Sequence, residues 1–155
     1  MDPHSLSWLV RLVPVAAMAV LLGGAVIVWA VVLQVKAPVL PDQVRLLRAA
    51  ATPYEWAFWG ATGLLVSSGV GNLGAFGAGL PAVSTAWGQK LTIKLALVLL
   101  LLLWSLVRTL WVVRLEVADV LMLSVAGHRC AQALYGGTAL LGLAILTVAV
   151  SLAHG

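Results

Sequence analysis

The side chain with the most chemistry open to it is Lys94. It lies in AWGQKLTIKLALVLLLLLWSLVRT, two turns inside an apolar run. A cation at that depth is costly unless it snorkels to the headgroups or meets an anion. Lys94 therefore reads either as a snorkelling lysine or as a buried cation. A buried cation would pair with a ligand, with a carboxylate of another subunit, or with helix-end carbonyls. A second constellation joins the chain ends: Asp2, His4, His154 and the N-terminal amine. Imidazoles, an amine and a carboxylate suit copper(II), provided both ends lie on one side of a membrane. Met1, Met18 and Met122 are too dispersed for a thioether pathway for copper(I). Glu55 reads as the first-turn carboxylate of a helix, complementing the helix dipole. Arg48 or Arg108 is its expected partner, and Lys94, near the opposite membrane face, is not. His128 beside Arg129 reads as a headgroup-level residue, and Cys130, unpaired, as a small packing side chain. The chain has no pair of histidines within spans, as a self-contained b-type cytochrome needs. It has no nucleophile–base set, phosphate loop or zinc motif either.

The elements that position these residues are membrane helices. Of 155 residues, 63% are hydrophobic and 9% charged, against roughly a quarter charged in soluble domains. So few charges cannot cover a water-facing surface, and the lipid bilayer is the expected solvent. The net charge of +4 is spread over loops; it reads as a topology signal rather than a nucleic-acid footprint. Hydropathy, Pro and Gly punctuation give an all-α, single-domain bundle of four transmembrane helices over 1–155. The expected spans are 8–35, 53–71, 87–110 and 130–152, with an interfacial amphipathic segment at 113–128. Pro53 suits either an early helical position or a bend within a longer helix. Gly23-Gly24, the stripe Gly60, Gly63, Ser67 and Gly71, and Gly136-Gly137 with Gly142 read as close-packing faces. Trp29, Trp56, Trp59 and Trp104 read as belt or bundle packing, or as surfaces for a pigment, quinone or lipid. Loops one and three hold six basic residues, against three on the other side. Both termini and the Gly-rich loop 72–86 are therefore expected outside, in an inner (plasma) membrane protein.

The stretch from Trp56 to Arg108 resembles the copper resistance protein D family (CopD-like membrane domain). The resemblance rests on Thr62-Gly63 in one helix and a Gly-rich loop. An aromatic-Gly-x-x-Leu-x-x-Lys motif then opens the next helix as Trp87-Gly88-Gln89-Lys90-Leu91-Thr92-Ile93-Lys94. Gly23-Gly24 is similar to the family's first helix. This resemblance implies a role in copper transport or homeostasis, with Lys94 belonging to the shared motif. Family members and the related HemJ-type proteins carry a first-helix His about nine residues before the Gly-Gly; here that position falls near Pro14. Two functions are therefore expected. One is a non-enzymatic CopD-like copper protein, with Asp2, His4 and His154 as metal ligands and Lys94 as a ligand-binding residue. The alternative is a non-catalytic accessory subunit that packs on other membrane subunits, or on copies of itself, through its small-residue faces.

Overall fold

The computed structural model describes residues 3–35, 41–75, 84–117 and 125–153. Four helices fill them: α1 (Pro3–Gln34), α2 (Pro41–Ala75), α3 (Ala86–Val117) and α4 (Val125–Ala153). In lipid every backbone N–H must be satisfied within the chain, so long apolar runs become unbroken helices. Among the described residues three stretches are long and apolar enough to cross a membrane: Pro14–Gln34, Trp87–Arg114 and Gly127–Leu152. The protein is thus multi-pass. The longest helix, α2, has 35 residues and is more polar. It carries Asp42, Arg45, Arg48 and Glu55, and Gly, Ser and Asn dilute its apolar half.

The second helix begins at Pro41, twelve residues before the expected start at 53. Pro53 is interior, so the longer helix holds. Its first-turn carboxylate is Asp42. Glu55 is therefore not a helix-start residue, and its role must come from packing. The third helix runs on to Val117 and the fourth starts at Val125. Much of the expected interfacial segment is thus helical extension, and 118–124 lie outside the described residues. Most of the Gly-rich loop, 76–83, lies outside them as well.

The helices pack as antiparallel neighbours. α1 lies against α2 and α4, α3 lies against α4, and of these neighbouring pairs α2 and α3 have the sparsest contact. Close approach sets the registers. Tyr54 Oη donates to the Leu21 carbonyl at 3.1 Å, and the Tyr54 ring covers Gly24. Across α1 and α4, Trp29 lies on Gly136 and Leu22 on Gly142. Across α3 and α4, the Trp104 indole lies on Gly137 and donates to the Leu134 carbonyl at 3.0 Å. Lys90 Nζ donates to the Ser151 carbonyl near the end of α4. Pro3 and Ala153 therefore end at the same end of the bundle, where α2 also ends and α3 begins. The buried core follows one stripe per helix, including Leu21, Val28 and Val32 of α1, Tyr54 and Phe58 of α2, and Tyr135 of α4.

Candidate functional site: a buried ion pair beneath an apolar cavity

The interior of the bundle is not uniformly apolar. Arg108 of α3 is fully buried and Glu55 of α2 is 6% exposed. Arg108 Nε donates to Glu55 Oε1 at 2.7 Å, and its Nη2 donates to Oε2 at 3.2 Å. Two parallel bonds of this kind fix both planes. Thr109 Oγ1 donates to Glu55 Oε2 at 2.6 Å, and Tyr135 Oη donates to Oε1 at 3.3 Å. The carboxylate thus accepts four hydrogen bonds from two other helices. Arg108 Nη1 donates to Thr138 Oγ1 at 2.7 Å, and Thr138 Oγ1 in turn donates to the Leu134 carbonyl at 2.8 Å.

Three rings enclose the guanidinium. Its central carbon lies 4.3 Å from the Phe58 centroid, 4.9 Å from Tyr54 and 5.5 Å from Tyr135. Ring faces attract a cation, more strongly where water is absent. Tyr54 covers Gly24, the midpoint of the apolar run 14–34 of α1. Arg108 itself lies within the apolar stretch Trp87–Arg114 of α3, so the ion pair sits inside the bundle's apolar thickness. An unpaired charge at that depth would be expensive. Here each charge is matched by its opposite, by hydroxyls and by aromatic faces.

This network is a clamp. It ties α2 to α3 and α4, and α2 and α3 otherwise share only sparse contact. Trp59 extends it by donating Nε1–H to Thr109 Oγ1 at 3.0 Å. Thr109→Val keeps the volume but removes a hydrogen bond to an ionised group and orphans the Trp59 indole. Bonds of that class contribute about 1.5–3 kcal/mol, and the unfolding midpoint in detergent should fall accordingly, by about 1.5 kcal/mol of stability or more.

Directly beside the clamp lies a cavity of about 730 Å³ lined by all four helices. Phe58 and Thr138 belong to both, so the clamp holds one end of the cavity. Thr62 and Leu65 line it from α2, Met18 and Pro14 from α1. From α3 come Trp87, Leu91, Lys94, Leu95 and Val98, which share one helical face. Val66, Leu95 and Leu99 line the cavity and are also well exposed. Together with the sparse contact of α2 and α3, this opens the cavity sideways between those two helices.

The chain matches no family model, no curated protein and no solved structure. Its chemistry must be read from the site itself.

Lys94 is half-buried on the cavity wall. Glu55 meets Arg108, the partner the sequence suggested alongside Arg48, and Lys94 takes no part in that pair. His4 lies in the first turn of α1, while Asp2 and His154 lie outside the described residues. His128 Nε2 accepts from the Gln132 side-chain amide at 2.9 Å, and Cys130 is exposed. Among the described residues no three of His, Cys, Asp and Glu come together as metal ligands. The cavity's polar side-chain groups are an ammonium, two threonine hydroxyls, the Trp87 indole N–H and the single thioether of Met18. Such a donor set does not fit a copper ion, which takes imidazole, thiolate or several thioethers.

Sequence reasoning missed the aromatic enclosure and both threonines of the clamp. A signal was present. Tyr135 and Thr138 stand three apart on α4, as Tyr54 and Phe58 stand four apart on α2. These are helix-face spacings that put polar groups into otherwise apolar stripes.

Proposed function

We propose that this chain is a non-catalytic membrane subunit of CopD-like build that holds a ligand in its intramembrane cavity. The observation that carries this reading is the convergence of the motif residues. Thr62, Trp87, Leu91 and Lys94, drawn from two helices, all line the same cavity. A motif that served packing alone would not need a cation there. In this reading α2 is a fourth span, both termini face outward, and the protein resides in the plasma membrane.

The accessory part of the reading rests on α2. Trp56 is 79% exposed, and Gly60, Gly63 and Ser67 follow it at i+4, i+7 and i+11, all exposed. A methyl placed on Gly60 or Gly63 would meet nothing. The small-residue face therefore packs on nothing described within this chain, and it suits another membrane chain, including a second copy. A copper role remains the other function that the resemblance implies. It is favoured by the shared end of α1 and α4, which brings His4 and the end of α4 at Ala153 to one end of the bundle.

The test is purification in mild detergent, intact-assembly mass spectrometry, and metal analysis of the same fraction. The expected result is a second copy or further membrane subunits, with copper far below one per chain. Gly63→Leu should dissociate that assembly while leaving the unfolding midpoint of the chain unchanged. Stoichiometric copper, lost in His4→Ala and His154→Ala, would replace this reading with the copper one.

A further inference from the structure

The ligand-holding reading leaves open what the cavity takes, and two polar groups on its wall narrow the choice. The Lys94 ammonium faces a lining with no carboxylate, and no described residue pairs with it. Among the described residues the buried carboxylate is Glu55, and it is already saturated by Arg108, Thr109 and Tyr135. Thr62 is 9% exposed, and its hydroxyl has no hydrogen-bond partner. A helical threonine commonly returns its proton to the carbonyl four residues back, as Thr92, Thr138 and Thr147 do here. Thr62 does not. Ser105 Oγ is also unpartnered, but Ser105 does not line the cavity.

The lining thus carries one cation and one threonine whose buried hydroxyl has no partner, set on α3 and α2, in walls that are otherwise almost wholly apolar. The remaining hydroxyl, Thr138, is engaged on both sides. We propose that the cavity binds an amphiphile with an acidic head on a long hydrocarbon chain. Its head accepts from Lys94 Nζ and from Thr62 Oγ1, and its chain lies against Leu65, Leu91 and Val98. The excess chain leaves between α2 and α3 into the lipid. This assignment rests on the ligand-holding reading above and gives that ligand its charge.

Charge decides the head group. A neutral head would leave the Lys94 ammonium uncompensated inside apolar walls, whereas an anion converts that cost into a charge-assisted bond. A free fatty carboxylate and an anionic phospholipid share this chemistry. The lateral opening admits either from the bilayer.

The experiment uses the full-length chain, purified in a mild nonionic detergent and followed by native mass spectrometry. The probes are oleate, oleyl alcohol and phosphatidylglycerol. Oleate and oleyl alcohol have the same chain and differ only in the head. One oleate should bind per chain, at least about tenfold more tightly than the alcohol. Lys94→Gln should remove that preference, and the isosteric Thr62→Val should weaken oleate severalfold. Neither change touches the Arg108–Glu55 clamp, so an unchanged unfolding midpoint shows that the bundle is intact. If phosphatidylglycerol binds in a Lys94-dependent manner and oleate does not, the acidic head is that of a bilayer lipid. Equal binding of oleyl alcohol and oleate, or oleate binding untouched by Lys94→Gln, overturns the acidic-head assignment and leaves the cavity as a site for neutral amphiphiles. Failure of all three probes to bind overturns the assignment together with the ligand-holding reading.

Discussion

Arg108→Met is expected to destabilise the bundle by about 3–5 kcal/mol, the penalty found when one partner of a buried ion pair is removed. The cause is what remains. Glu55 would keep its bonds from Thr109 and Tyr135, but its charge would stay buried with no cation beside it. Glu55→Gln is expected to cost a similar amount, because the guanidinium would then have only the three rings and Thr138. The double variant Glu55→Gln/Arg108→Met should be markedly more stable than the sum of the singles implies. It removes both charges and leaves a polar amide with two hydroxyl partners. The measurement is a double-mutant cycle on the unfolding free energy in detergent or lipid. A coupling of at least about 2 kcal/mol is expected, within the range for contacting residues. Singles that add within about 0.5 kcal/mol would mean that the two side chains do not act as a pair, and the clamp would lose its meaning.

How far the chain could be read in advance follows from which signals are local. The helices of α1, α3 and α4 were legible because composition alone settles long apolar runs in lipid. The start of α2 was not. Pro38, Pro41 and Pro53 all punctuate that stretch, and single-sequence rules cannot say which proline a helix absorbs. Packing decides it: the helix reaches back to Pro41 and buries Leu47 and Ala51 in the core. That shift moved Glu55 from an expected helix start to the middle of α2, and with it the whole polar cluster. The pairing of Glu55 with Arg108 was legible in outline, since few charges compete inside the runs. The enclosure by Tyr54, Phe58 and Tyr135 was not, because it brings together side chains from α2 and α4 that only the register joins. Lys94 shows the converse. Its intramembrane position was visible in the sequence, but the unpartnered Thr62 hydroxyl across the cavity needed coordinates.

Gly24→Ala should destabilise the bundle by about 3 kcal/mol, the upper part of the overpacking range, while Gly23→Ala should be neutral or slightly stabilising. The two glycines are adjacent and look equivalent in sequence. A methyl on Gly24 would lie 2.5 and 2.6 Å from two carbons of the Tyr54 ring, whereas one on Gly23 would meet nothing within 4 Å. The ring cannot simply swing aside. Its hydroxyl is tied to the Leu21 carbonyl, its face meets the Arg108 guanidinium, and Phe58 and Tyr135 flank it. Moving Tyr54 therefore disturbs the clamp as well as the α1–α2 contact. Ala is favoured over Gly in a helix interior by up to about 1 kcal/mol, so at Gly23, with no clash to offset it, the sign should reverse. The check is the difference between the two unfolding midpoints, which removes any general effect of adding a methyl to α1. Equal effects at the two positions would show that Tyr54 does not rest on Gly24, and the register that brings the α2 aromatics onto α1 would have to be redrawn. A large effect at Gly24 alone, reduced by Tyr54→Leu in the same chain, would instead place the contact at the Tyr54 ring. It would also show that the glycine sets how closely α1 can approach the helix carrying Glu55.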